Sequence, residues 1–179
     1  MSAPAIRHSE QEISERVAAL GAKLDSRLRG ESLLVVGILK GCVPFLPDLV
    51  RRLETPCRFE FIDVERKDGA DSAGEPNISI RFFRHFRLEK RHVLLVKDVV
   101  ATGVVENYLL SQLRMQRPKS LALACVIDRP GDRRVDLEVD ETLFCDEVGE
   151  RWVGYGLDGA SGSGAQLPWL GVEPDGHAG

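Results

Sequence analysis

Several things are missing from this chain of 179 residues. No apolar run approaches the ~18 residues needed to cross a bilayer. The N-terminus lacks the basic, apolar and small-residue order of a secretory signal. The expectation is a cytoplasmic chain with no membrane partner. The four cysteines, Cys42, Cys57, Cys125 and Cys145, form no C-x-x-C pair. They read as reduced, mostly buried thiols, without a zinc site. The four histidines, His8, His85, His92 and His177, fall in no nucleophile motif, so a hydrolase triad has no support. Positive charge is not in excess. A net charge of −4 gives no reason to expect nucleic acid as a partner.

What is present is ordinary for one globular domain: 43% hydrophobic and 29% charged residues, in a chain long enough for a sizeable core. One stretch organises it. Val93–Val96 is apolar and half β-branched, Lys97–Gly103 is a short turn, and Val104–Met115 has apolar residues at helical spacing. This predicts strand, tight loop and helix. The loop after a buried strand is the usual ligand site of an open α/β sheet. Amide groups at the helix start favour an anion such as phosphate. Thr102 adds a hydroxyl, and Gly103 permits close backbone approach.

The stretch Val96-Lys97-Asp98-Val99-Val100-Ala101-Thr102-Gly103 resembles, with departures, the phosphoribosyl pyrophosphate loop of type I phosphoribosyltransferases. Val35–Gly41 is similar to the pyrophosphate loop of the hypoxanthine-guanine branch. Pro118–Leu121, Ile127–Pro130, Val153–Asp158 and Leu167-Pro168 follow in that family's order. The resemblance runs from about Leu33 to Val172. It implies a mainly parallel twisted sheet flanked by helices, with a small hood from terminal segments. One domain over residues 1–172 and a disordered tail over 173–179 are expected. The implied reaction joins a 6-oxopurine to phosphoribosyl pyrophosphate, giving a nucleoside monophosphate and pyrophosphate, with Mg²⁺ as cofactor. The implied partners are a nucleotide, phosphate or phosphoribosyl pyrophosphate, in a homodimer or tetramer.

The resemblance also assigns roles. Ala101, Thr102, Gly103, Val104 and Val105 would hold the 5′-phosphate, Asp98 the ribose hydroxyls, and Lys40 and Gly41 the pyrophosphate. Arg129, Arg151 and Trp152 would meet the purine, and Asp158 would help hold the metal. The departures fall on the chemistry. Lys97 stands where the family has a ribose-binding Glu, and Ala101 where it has the general-base Asp. Val105 replaces a second Thr. Arg129 replaces a Lys, a different donor geometry. Trp152 or Arg151 can cover a base, or Trp152 can simply pack at the core edge. Arg66-Lys67 replaces the Ser-Tyr pair of a lid over Arg66–Pro76, a stretch that also reads as a plain hairpin loop. The tract Gly159–Gly164 lacks the family's tyrosines and pyrophosphate-contacting Arg. Lys40–Cys42 also reads as a plain strand-to-helix turn. The basic stretch Arg81–His92, which carries three phenylalanines, reads as a solvated strand and turn. These substitutions imply weak or lost activity; the alternative is a non-catalytic nucleotide- or phosphate-binding relative with a regulatory role.

Elsewhere the pattern predicts a helix capped by Ser9 and ended by Gly30, and another over Pro44–Leu53. Strands are expected over Leu33–Leu39, Arg58–Glu65, Asn77–Phe83 and Ser120–Ile127, and within Asp136–Phe144.

Overall fold

The computed structural model describes residues 3–70, 76–82, 87–159 and 162–174, with no side-chain detail for 65–70 and 76–82. Ala5–His8 forms β1 and Glu10–Leu28 forms α1. Ser9 caps α1 by accepting the Glu12 amide at 3.2 Å. Glu12 does not return the second half of the box; its carboxylate meets His8 and Arg16 instead. Ile13, Val17, Leu20 and Leu24 line the buried face of α1, at the spacing that puts residues on one helical side.

The central sheet holds Leu33–Ile38 (β2), Cys57–Ala70 (β3), Pro76–Phe82 (β4), His92–Val100 (β5), Ser120–Asp128 (β6) and Glu141–Cys145 (β7). Its order is β4-β3-β2-β5-β6-β7. Five strands run parallel, and β4 pairs antiparallel with β3. The strands at Leu33, Val93 and Ser120 are neighbours at its centre. Leu33–Ile38 is buried throughout, which explains its unbroken apolar run. Phe45–Val50 (α2) and Val104–Met115 (α3) complete the helices. One core cluster lies under α1 and α2, the other under α3. A separate sheet of β1, Leu170–Val172 (β9) and Trp152–Val153 (β8) forms the hood from terminal segments.

Two boundaries differ from expectation with consequences for the site. The strand predicted to stop at Val96 continues to Val100, because β6 continues beside it: Lys97 pairs with Cys125, Val99 with Ile127 and Val100 with Asp128. Lys97 and Asp98 are therefore strand residues, not turn residues. The stretch from Arg66 was expected as a loop. Its backbone instead continues β3 to Ala70, with Arg66 opposite Ile78. Ser72–Glu75 lies outside the described residues, as do residues 83–86 of the basic stretch, 160–161 of the glycine tract and 175–179 of the tail. Among the described residues no helix is long and apolar enough to cross a membrane.

Candidate active site

The carboxyl ends of β2 and β5 and the middle of β3 meet the chain entering α2 and the segment after β8. Between them lies a cleft of about 510 Å³, lined by Lys40, Gly41, Asp63, Asp98, Leu157 and Asp158 among others. A sheet's parallel strands all end on this side, which is why the site forms here.

Asp98 stands at its centre. Its carboxylate passes so close to Gly41 that a Cβ there would fall 1.8 Å from Asp98 Oδ2. Only glycine leaves room, and this joins two sequence motifs 57 positions apart in one wall. Gly156 closes the same corner: its Cβ would lie 2.2 Å from the Gly41 carbonyl. Asp98 Oδ1 accepts the Val99 amide at 2.8 Å and holds Lys97 Nζ at 2.6 Å. Both side chains of that pair are about four-fifths buried, so the interaction is less screened than a surface bridge. Lys40 is exposed at the rim, and the Leu39–Lys40 peptide is cis. Cys42, buried beside them, has its thiol pushed up to about 12 by burial first and Asp98 second; it is no nucleophile.

Ala101 and Thr102 are half-buried, and Gly103, with φ 76°, turns the chain into α3. A left-handed residue here favours glycine. The amides of Thr102 and Gly103 donate to no described residue. The carbonyls are held from outside the loop. Arg133 donates to Val100 O at 2.8 Å and Ala101 O at 2.5 Å, and also pairs with Asp128. The Arg134 amide donates to Thr102 O at 3.0 Å. Sequence reading missed Arg133; these partners come from two separate segments, around Val100–Ala101 and at Asp128, and no spacing signals them.

The residues expected to meet a purine do not share one orientation. Arg129 Nη2 pairs with Asp132 at 2.7 Å, and its Nε lies 3.4 Å from Asp146, buried without a hydrogen bond. Asp146, buried, accepts the amides of Val148, Gly149 and Glu150. It also accepts the Trp152 indole N–H at 2.9 Å. Trp152 lies near-parallel to His8, which stacks on Phe144. Its ring is thus anchored to the hood and core. Arg151 beside it is exposed. Asp158 is exposed at the cleft. Tyr155, one turn earlier, donates its hydroxyl to Asp48 at 2.8 Å, and burial with that carboxylate pushes its pKa up.

Glu106 was also missed, although its place could have been read. It precedes Leu109 and Leu110 by three and four residues, so it falls on the apolar side of α3. It is 5% exposed. Burial pushes its carboxyl above the ordinary range; Asp98 adds to this, while its own amide, Lys97 and Arg133 oppose it.

Residues 8–159 match the phosphoribosyl transferase domain family. The chain is 33% identical to the hypoxanthine-guanine phosphoribosyltransferase of Bacillus subtilis, over 92% of this chain and 89% of that protein. It belongs to the hypoxanthine-guanine phosphoribosyltransferase family. It is also 35% identical to the bifunctional protein TilS/HprT of Listeria monocytogenes, over 92% of this chain; there it spans about a quarter of the relative, 25%. Among solved structures, the hypoxanthine phosphoribosyltransferase of Staphylococcus aureus superposes with a TM-score of 0.83 at 30% identity, covering 94% of this chain and 90% of that one. That of Trypanosoma cruzi gives 0.85 at 27%, covering 97% and 94%. The family fold accounts for the five parallel strands and the flanking helices.

Proposed function

We propose that this phosphoribosyltransferase-family chain acts on a 6-oxopurine and phosphoribosyl pyrophosphate in purine salvage, with a slowed transfer step. In that reaction the purine N9 bonds to ribose C1′ as the C1′–oxygen bond to pyrophosphate breaks. The observation that carries the slow step is the Lys97–Asp98 ion pair. Asp98 is the carboxylate left for the ribose hydroxyls, and a lysine already holds it. A lost or occupied charged acceptor is worth roughly 1.5–3 kcal/mol. The Lys97 cation also opposes positive charge developing at C1′. Ala101 supplies no acid or base near purine N7, a role worth roughly 10²–10⁴ in rate.

The loop from Ala101 to Val105 retains what a 5′-phosphate needs: amides, the Thr102 hydroxyl and the N-terminus of α3. Lys40 and Gly41 line the cleft beside Asp98, where pyrophosphate would lie. Arg151, exposed and free of the indole's anchoring, is the better purine cover; its guanidinium can stack on a base. Arg129 reaches an oxo group only by loosening from Asp132. The cleft carboxylates Asp63, Asp98 and Asp158 are oxygen donors of the kind Mg²⁺ prefers. Among the described residues they do not converge as a three-ligand cluster. They fit an ion held largely by the substrate's oxygens and water, which would neutralise the leaving pyrophosphate. Dimer or tetramer formation belongs to the same proposal and is checked by light scattering.

The deciding experiment is turnover of hypoxanthine and guanine with phosphoribosyl pyrophosphate and magnesium. A measurable rate far below that of the B. subtilis relative, assayed in parallel, supports the proposal. Equal rates remove the slow step. Nucleotide binding without turnover favours a second reading, a non-catalytic nucleotide-binding relative, for which Ala101 is the specific observation.

A further inference from the structure

Helix α3 buries a carboxylate that the reading above leaves without a task. Glu106 lies on its first turn, 95% buried by the 5% exposure noted above, between Val105 and Leu109 on the side packed against the sheet. Lys97 faces it from β5. Val93 and Leu95 belong to the same core cluster as Val105 and Leu109, and Lys97 follows at the two-residue period of a strand. The charges acting on Glu106 are Lys97, Asp98 and Arg133. Arg133 is occupied by Asp128 and the loop carbonyls. Among the described residues, no side chain hydrogen-bonds or ion-pairs with the Glu106 carboxylate. Two carboxylates therefore flank one ammonium. Asp98 is engaged and lines the cleft. Glu106 holds no ion pair among the described residues and is buried under α3.

We propose that Glu106 is a positioning residue for Asp98: it receives the Lys97 ammonium when ribose hydroxyls take the Asp98 carboxylate. The inference rests on the reading of this cleft as a ribose-phosphate site. A ribose diol must displace Lys97 from Asp98. An ammonium released where its side chain is about four-fifths buried, without a counter-ion, is costly. Glu106 supplies the counter-ion on the side away from the substrate. Lysine suits the move, having a compact charge on a flexible four-carbon stem. The exchange keeps one ion pair in each state, so ribose binding need not break a charge pair outright.

The test uses calorimetric titration of the full chain with two probes, inorganic phosphate and ribose 5-phosphate. Phosphate reports the loop alone; the sugar adds the hydroxyls. Glu106→Gln is expected to weaken ribose 5-phosphate about tenfold, the low end of one charge-assisted contact, and to leave phosphate unchanged. Adding Lys97→Met to Glu106→Gln should restore the sugar's affinity, since no cation then competes for Asp98. A merely structural role would weaken both probes together and would not be rescued by Lys97→Met. Glu106→Leu repeats the measurement if the Gln variant folds poorly. The inference falls if the Gln and Leu variants bind ribose 5-phosphate like the parent, if both probes weaken equally, or if Lys97→Met gives no recovery. A parent that binds neither probe overturns the ribose-phosphate reading itself, and this inference with it.

Discussion

The loop that leads into α3, residues 101–104, offers main-chain groups, with carbonyls pinned by Arg133 and the Arg134 amide. The segment from Asp146 to Trp152 is set by side chains instead: one buried carboxylate gathers three amides and an indole, and Arg129 leans on it. The first region depends on backbone geometry that many side chains can accompany. A Val at 105 or an Ala at 101 leaves the helix start in place. The second region depends on which side chain stands at each position. An arrangement built from main chain outlasts changes of side chain that an arrangement built from side chains does not.

The strongest way to break this comparison is Arg133→Ala. It removes both loop hydrogen bonds and strands Asp128, whose side chain is only 18% exposed. The expected loss is about 3 kcal/mol, read as a lower urea midpoint at unchanged slope, together with loss of phosphate binding. Retained phosphate affinity would show that the loop needs no outside support.

Next in size is the chemistry at Asp98. Lys97→Glu with Ala101→Asp restores an acceptor and an acid/base group. Turnover of a 6-oxopurine should rise about 10²-fold or more, exceeding either change alone because both act on one transition state. Because Lys97 lies on a strand facing Glu106, the substitution also gathers three carboxylates. Adding Glu106→Gln should relieve that repulsion and restore lost thermal stability. A folded variant that binds the donor without any rate gain would place the defect in the 66–76 or 159–164 segments.

In the segment from Asp146, Trp152→Phe removes the donor to Asp146 and should cost about 1–2 kcal/mol in denaturant unfolding. Arg151→Ala should leave stability unchanged while weakening binding of inosine monophosphate. If Trp152→Phe weakens the nucleotide more than Arg151→Ala does, the indole is the base's cover after all.

The smallest effect is on stability at Glu106. Its folded-state pKa lies above the ordinary value of 4.5, so ionising it in the folded chain costs stability as pH rises past that value. Glu106→Gln should raise Tm by roughly 2–4 °C at pH 8, the scale of ~1 kcal/mol in a chain this size. The gain should shrink toward pH 4. A variant that melts lower at pH 8 would mean that Glu106 is already paired in the free protein.

By itself the sequence determined the family architecture. Short apolar runs after Ser32 and Ser120, bounded by turn residues, read as strands buried in a parallel sheet. Apolar spacing along Val104–Met115 can only be a helix with one side inward. Gly103 after a strand marks the turn into it. These signals are local: each depends on residues a few positions apart. Tertiary structure decided the rest of the site. The length of β5 came from its pairing with β6, which moved Lys97 out of the turn. Lys97 on Asp98, Arg133 on the loop carbonyls, Trp152 on Asp146 and Glu106 under α3 all depend on how side chains come to face one another. Most of these pairings cross between elements, and the neighbours Lys97 and Asp98 meet because the long lysine side chain reaches back to the carboxylate. Side-chain charges act through space, over distances the chain's order does not encode. A carboxylate is a ribose acceptor or a lysine's partner according to what folding brings beside it.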